Sequence, residues 1–107
     1  MPGSVRKVQT GVSVEIPEGY VGIIALRSSV ATRGDLYMAG GIGVVDSDYR
    51  GEIHIPVATN NPNGTHITPG ERIAQLLILQ APVFDIVTVQ ELSKTGRGTG
   101  GFGSTGS

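Results

Sequence analysis

The chain contains no cysteine and no tryptophan among its 107 residues. The absence of cysteine excludes a disulfide-stabilised scaffold, thiol catalysis and a zinc site built on thiolates. The two histidines, His54 and His66, are too few to form a zinc site by themselves. A chain of this length is enough for one small domain with a modest hydrophobic core.

Neither sign of charge is in excess, because eight basic residues stand against nine acidic ones and the formal net charge is −1. This balance gives no general attraction to nucleic acid or to an anionic membrane surface, so we expect neither as a partner. No apolar run approaches the roughly 20 residues that span a bilayer, and no signal peptide opens the chain. These absences predict a cytoplasmic, intracellular protein, and a viral or phage origin stays open.

Glycine is abundant instead, with 17 of 107 residues, more than twice its usual share of about 7%. Its positions divide the chain. Residues 1–94 contain short strand patterns separated by Gly and Pro turns, whereas residues 95–107 read TGRGTGGFGSTGS and cannot form a packed core. We therefore predict a core over residues 1–94 and a flexible Gly-rich C-terminal arm over residues 95–107. Composition alone is also typical of a linker.

Strand signals dominate the core: apolar and polar residues alternate at 12–16 and 53–57, and residues 20–26 are mostly apolar and β-branched. The predicted strands are 12–16, 20–26, 53–57, 72–79 and 83–89. Pro56 predicts an edge position or a bulge for its strand, since proline donates no ladder hydrogen bond. The nearly continuous apolar run 72–79 predicts a strand that is covered on both faces.

No segment of ten or more residues shows the period of a helix. Short strands with Gly and Pro turns between them indicate an all-β sandwich, jelly roll or small barrel. A sheet of this size has unpaired edges, which an oligomer could cover.

Two segments combine residue types that suit an anion or a proton transfer. The tripeptide Arg27-Ser28-Ser29 follows a strand, where it can bind phosphate or simply form a surface turn. Residues 40–52 predict a β-hairpin with Asp46 near its bend, where Asp46 can act as a general base or merely shape the turn. Tyr49, in the same hairpin, can stack on a ring or a sugar.

Two further positions leave similar alternatives open. Gln75 is the polar side chain inside the apolar run 72–79, where it faces a ligand or satisfies a neighbouring backbone group. The arm pairs Arg97 with Phe102 among glycines and hydroxyls, an arrangement that can wrap a phosphate. The arm lacks the Gly-Lys-Ser/Thr sequence of a nucleotide-binding P-loop.

The order of these motifs resembles that of the trimeric dUTPase family. The segments RSS at 27–29, GVVDSDYRGE at 43–52, PGERIAQ at 69–75 and RGTGGFGSTG at 97–106 look like the second to fifth motifs of that family. The resemblance covers nearly the whole chain. It implies a β jelly-roll homotrimer that hydrolyses dUTP to dUMP and pyrophosphate with Mg²⁺, at sites between subunits that the C-terminal arm covers.

The resemblance also implies a role for each matched residue. Asp46 would be the general base that activates water for attack on the α-phosphate. The phosphate-binding residues would be Arg27, Ser28, Ser29, Gln75, Arg97, Gly103 and Ser104. The nucleoside-binding residues would be Gly43, Val44, Val45, Tyr49, His54 and Phe102. Mg²⁺ would be held by substrate phosphates and water rather than by protein ligands.

One departure from the family leaves a second hypothesis. No segment of the chain resembles the family's first motif, Ala-Gly-Tyr-Asp-Leu or similar, whose aspartate supports magnesium. Leu26 stands where a proline usually precedes Arg-Ser-Ser. The first hypothesis is therefore an active dUTP diphosphatase. The alternative is a catalytically weak or inactive dUTPase-like module for nucleotide binding or interaction.

Overall fold

The computed structural model describes residues 4–100 and contains two three-stranded antiparallel sheets. The strands are β1 (Arg6–Gln9), β2 (Tyr20–Leu26), β3 (Leu36–Met38), β4 (Gly43–Val45), β5 (His54–Thr59) and β6 (Ala74–Gln80). A four-residue helix, α1 (Ser28–Ala31), follows β2. The first sheet has the order β1-β5-β3 and the second has the order β4-β2-β6. This architecture confirms the predicted all-β class.

Aliphatic side chains form the core of the described structure. Its buried members are Ile16, Ile24, Val30, Leu36, Met38, Val45, Ile53, Ile55, Val57 and Ile73. Alternation along β5 accounts for part of this core, since Ile55 and Val57 are buried while His54 is exposed. Within residues 4–100, no helix is both long enough and apolar enough to cross a membrane.

Pro56 was predicted to mark an edge position or a bulge, and the edge position is wrong for β5. This strand is central in its sheet and pairs with both β1 and β3. Pro56 is tolerated because the β3–β5 ladder ends at the Met38–Val57 pair. The next residue, Ala39, donates its N–H to the Pro56 carbonyl over 2.9 Å. The N–H and C=O of a strand residue point to the same side. The N–H that Pro56 lacks would therefore point towards the residues after the end of β3, where no ladder hydrogen bond is needed.

Residues 12–16 do not form the predicted strand, although their burial alternates. Ile16 is buried, Val14 is half-buried and Val12 is exposed. The Ile53 N–H donates to the Val12 carbonyl over 2.8 Å. No ladder continues from this contact, so the segment packs its apolar side chains without joining a sheet.

The prediction that the strand at 72–79 is covered on both faces is also wrong for a single copy of the chain. β6 pairs with β2 along one edge, and its aliphatic residues 76–79 are 37% to 49% exposed. Residues 83–89 form no strand, and Val83 and Ile86 are more than 90% exposed. A strand needs a partner for its backbone hydrogen bonds, and the described residues of this chain provide none for 83–89.

Residues 40–52 do not form the predicted β-hairpin either. β4 pairs with β2, whereas β5 pairs with β1 and β3, so the two strands belong to different sheets. The turn at Asp46 is present, because the Tyr49 N–H donates to the Asp46 carbonyl over 3.1 Å. Gly40 and Gly41 have φ values of 83° and 86° and form a turn before β4. The local sequence favours both turns but does not determine which strands pair.

Candidate active site

Most of the residues that were predicted to bind nucleotide, within the described part of the chain, line two clefts, whereas Ser28, Ser29 and Arg97 are absent from both linings. One cleft, of about 310 Å³, is lined by Gly43, Val44, Val45, Asp46, Tyr49 and His54. We call it the Asp46 cleft. The other, of about 730 Å³, includes Arg27, Arg72 and Gln75 in its lining. We call it the Arg27 cleft. The predicted nucleoside-binding residues within the described part of the chain thus lie together in the Asp46 cleft. Arg27 and Gln75, which were predicted to bind phosphate, lie in the other cleft.

The backbone of β4 forms one wall of the Asp46 cleft. Among residues 4–100, β4 is the outermost strand of its sheet, so no described strand pairs with its N–H and C=O groups on the side away from β2, and a ligand can bind there. Val45 is buried and fixes the strand to the core. A Cβ at Gly43 would lie 3.3 Å from Met38 Cε and 3.4 Å from Ile24 Cβ. The small residue therefore also fits the packing beneath the strand.

Asp46 follows β4 directly and is exposed at the start of a turn. The Arg50 guanidinium donates to the Ser47 carbonyl over 2.6 Å and so fixes the turn from outside. Asp46 therefore lies in the lining of the cleft at the end of the open strand edge, where a carboxylate can accept a proton from water.

Tyr49 places an aromatic ring in the same cleft. Its hydroxyl donates to the backbone carbonyl of Glu52 over 2.7 Å, which folds the ring back towards the chain at Gly51. The side chain is 44% exposed and leaves an apolar surface in the cleft. Such a surface can pack against a sugar.

Lys7, Glu52 and His54 also line the Asp46 cleft. Glu52 accepts the Gly11 N–H over 2.9 Å with one carboxylate oxygen, and the other oxygen lies 3.8 Å from His54 Nε2. Neither Lys7 nor Glu52 was predicted to line the site. Lys7 is placed there by the register of β1 on β5, where it pairs with Pro56. No local pattern encodes such a register.

The Arg27 cleft lies where β2 ends and β6 begins. The Arg27 N–H donates to the Ile73 carbonyl over 3.0 Å, and its guanidinium contacts the Arg72 carbonyl at 3.5 Å. Gln75 donates to the Leu26 carbonyl over 3.4 Å, so the side chain contacts the backbone while remaining exposed at the cleft. Ser28 and Ser29 begin α1 and are exposed next to Arg27.

A set of polar contacts connects the loop after α1 to the turn before β6. The Arg33 guanidinium lies 3.2 Å from the Asp35 carboxylate and 3.6 Å from that of Glu71. Glu71 in turn accepts the Thr68 N–H over 3.0 Å. These contacts hold the loop and the turn together at the Arg27 cleft.

The described part of the arm lines neither cleft. Arg97 is exposed in a turn in which the Gly98 N–H donates to the Thr95 hydroxyl over 3.0 Å. Phe102, Gly103 and Ser104 lie outside the described residues. Within residues 4–100, no group of three or more His, Asp and Glu side chains is arranged to hold a metal ion.

Comparison with known proteins identifies the family. The dUTPase family model matches residues 1–106. The chain belongs to the dUTPase family. A deoxyuridine 5′-triphosphate nucleotidohydrolase from Desulfitobacterium hafniense is 42% identical over 106 residues, which are 98% of this chain and 70% of that protein. The resemblance read from the ordered motifs is confirmed, and the alternative of an inactive dUTPase-like module is not favoured.

Solved structures of dUTPases share the fold. A mutant of the Staphylococcus bacteriophage 80alpha dUTPase with dUpNHpp matches with a TM-score of 0.87 and 28% identity, over 99% of this chain and 78% of that one. A mutant dUTPase from phage phi11 of S. aureus, described with a structural Mg(II) ion, matches with a TM-score of 0.71 and 26% identity, over 84% and 74%. The two small antiparallel sheets of this chain are thus the dUTPase fold.

Proposed function

We propose that this chain hydrolyses dUTP to dUMP and pyrophosphate. The observation that carries the proposal is the meeting of an open strand edge, a carboxylate and an aromatic ring in the Asp46 cleft. Membership of the dUTPase family and the name of its nucleotidohydrolase relative support the same reaction. The dUpNHpp in the phage structure supports a nucleoside triphosphate as the ligand.

The uracil ring pairs with the open backbone edge of β4. Uracil presents a donor between two acceptors, which the N–H and C=O groups of Gly43, Val44 and Val45 can match. Backbone groups at a fixed strand edge discriminate between bases without a charged side chain. Tyr49 packs beside the deoxyribose, and His54 and the arm residue Phe102 complete the nucleoside side.

Cationic and hydroxyl groups bind the triphosphate. Arg27 and Arg97 supply charge, because guanidinium groups bind phosphate oxygens bidentately. The remaining phosphate-side residues are Ser28, Ser29, Gln75, Gly103 and Ser104. A few converging arginines are sufficient for a small anion, which agrees with the net charge of −1.

Asp46 acts as the general base in the reaction. It takes a proton from a water molecule as the water oxygen attacks the α-phosphorus, and the bond from that phosphorus to the β-phosphate bridging oxygen breaks. The products are dUMP and pyrophosphate, whose new negative charge lies on the arginine side. The side chains proposed to bind the phosphates donate hydrogen bonds to phosphate oxygens. They would therefore suit Mg²⁺ that is held by the triphosphate and by water molecules. When bound, Mg²⁺ neutralises phosphate charge.

A complete site requires more than one copy of the chain, and we propose a homotrimer. The radius of gyration is 18.8 Å, well above the roughly 13 Å of a compact domain of this length. The exposed apolar side chains of 76–79 and 83–89 need a cover. Assembly would cover them and bring the Asp46 cleft of one copy to the Arg27 cleft of another, with the arm 95–107 closing over the core 1–94. A cytoplasmic location stays a prediction.

The test is a chromatographic assay of the purified protein against dUTP, dCTP and UTP, with and without added Mg²⁺. We expect dUMP and pyrophosphate in equal amounts from dUTP, and little product from the other two nucleotides. Absence of dUMP in both conditions would contradict the proposed reaction. Equal rates with dCTP would contradict the role of the β4 edge in selecting uracil.

A further inference from the structure

The Tyr49 ring lies unusually close to the backbone of Gly51. A Cβ built on Gly51 would be 2.5 Å from the Tyr49 hydroxyl oxygen, 2.7 Å from Cζ and 3.1 Å from Cε1. Real Cβ atoms essentially never approach another heavy atom within 3.0 Å. The ring can therefore occupy this position, with its hydroxyl on the Glu52 carbonyl, only while residue 51 has no side chain.

A left-handed backbone does not explain the glycine at this position. Gly51 is not among the glycines with a positive φ, unlike Gly40 and Gly41. Its φ therefore lies outside the left-handed region that favours glycine. The three heavy atoms nearest to such a Cβ all belong to Tyr49, so the closest steric limit on residue 51 is the Tyr49 side chain.

We propose that Gly51 is a positioning residue that sets sugar specificity through Tyr49. The inference rests on the proposed function, in which Tyr49 lies beside the deoxyribose. With a Cβ at residue 51, the ring must leave the Glu52 carbonyl and turn into the cleft or towards solvent. The ring can move without disturbing the core, because Tyr49 is 44% exposed. In the proposed function the Tyr49 ring leaves no room for a 2′-hydroxyl on the sugar, and this surface would then be displaced.

A double-mutant cycle separates this role from a general effect on the fold. The four proteins are the wild type, Gly51→Ala, Tyr49→Ala and the double variant, and the measurement is kcat/KM for dUTP and for UTP. We expect Gly51→Ala to lower the ratio of kcat/KM for dUTP to kcat/KM for UTP about tenfold, since small displacements of a surface that contacts the substrate reduce kcat/KM by this much or more. In the Tyr49→Ala background the same substitution should change the ratio less than about twofold, because the ring is absent.

A second measurement follows the ring without depending on activity. Tyrosine-labelled protein gives ring signals by NMR, and Tyr49→Phe assigns those of Tyr49. We expect Gly51→Ala to shift the Tyr49 signals and to leave those of Tyr20 and Tyr37 in place. Unchanged Tyr49 signals would overturn the inference even if the protein did not hydrolyse dUTP.

The kinetic outcomes are equally distinct. A dUTP/UTP ratio that Gly51→Ala leaves unchanged overturns the inference while the proposed reaction stands. So does an equal loss in both backgrounds, which assigns Gly51 a backbone role. A wild type without dUTP hydrolysis contradicts the proposed function, and the NMR shift then decides the positioning of Tyr49.

Discussion

The backbone N–H of Gly11 donates a 2.9 Å hydrogen bond to the carboxylate of Glu52, 41 positions further along the chain. Glu52 also accepts the Tyr49 hydroxyl with its backbone carbonyl. Nearby, the Thr10 hydroxyl donates to the Ile53 carbonyl over 2.7 Å. The segment after β1 and the turn after Asp46 are therefore joined through Glu52 and its neighbour Ile53, both of which line the Asp46 cleft.

We expect Glu52→Ala to lower the free energy of unfolding by about 1 kcal/mol, because the Gly11 N–H loses its acceptor at a partly solvated site. Chemical denaturation followed by circular dichroism measures this loss. Glu52→Gln is the matched control, since its amide oxygen can still accept the hydrogen bond. Equal losses in the two variants would show that the charge, rather than the acceptor, stabilises this contact.

Gly22 provides a second test of packing. It is buried in β2, and a Cβ there would lie 2.8 Å from Ile16 Cδ1 and 3.2 Å from Val45 Cβ. We expect Gly22→Ala to destabilise the fold by about 1–3 kcal/mol through overpacking. Thermal unfolding of the variant beside Gly96→Ala, whose Cβ would meet no atom within 4 Å, makes the comparison. A wild-type melting temperature for Gly22→Ala would contradict this account of the core.

The strands that could be predicted from sequence are those whose pattern is local. β2 was predicted over its full length from a mostly apolar and β-branched run, and β5 within two residues from the alternation of apolar and polar residues. The pairing was not predictable, since Pro56 suggested an edge and the structure makes β5 central. The ladder with β3 ends beside Pro56, and only the tertiary arrangement determines where that ladder ends.

The candidate site was predictable for a related reason. Its residues occur in short ordered motifs, so Asp46 and Tyr49 could be proposed as site residues from sequence, and both line one cleft. Lys7 and Glu52 were not identified, because strand register and a contact over 41 positions bring them there. The separation of Arg27 from Asp46 in the single chain is likewise a property of the fold rather than of a motif.

Asp46→Asn tests the general base directly. The substitution keeps the shape of the side chain and removes its capacity to take a proton from water. We expect the turnover number for dUTP to fall by about 10²–10⁴-fold while the affinity for a non-hydrolysable dUTP analogue changes little. Single-turnover kinetics and calorimetry give the two quantities. Normal turnover would assign the proton transfer to another group.

The placement of Asp46 and Arg27 in separate clefts predicts that variants of the two residues complement each other. If each site combines the Asp46 cleft of one copy with the Arg27 cleft of another, neither Asp46→Asn nor Arg27→Ala alone forms an intact site. An equal mixture that is refolded together into cyclic trimers should contain intact sites at about one quarter of positions. We therefore expect the mixture to hydrolyse dUTP far faster than the average of the two variants.

The control for this mixture is the double variant Asp46→Asn/Arg27→Ala refolded with Asp46→Asn. No site in that mixture can contain a native Asp46, so its activity should not exceed that of the Asp46→Asn variant. If the mixture of Asp46→Asn and Arg27→Ala is only as active as the average of the two variants, one copy supplies both residues. The chain would then have to close its own two clefts around the nucleotide. A sedimentation measurement showing monomers at micromolar concentration would lead to the same conclusion, because no second copy would be present to supply Arg27.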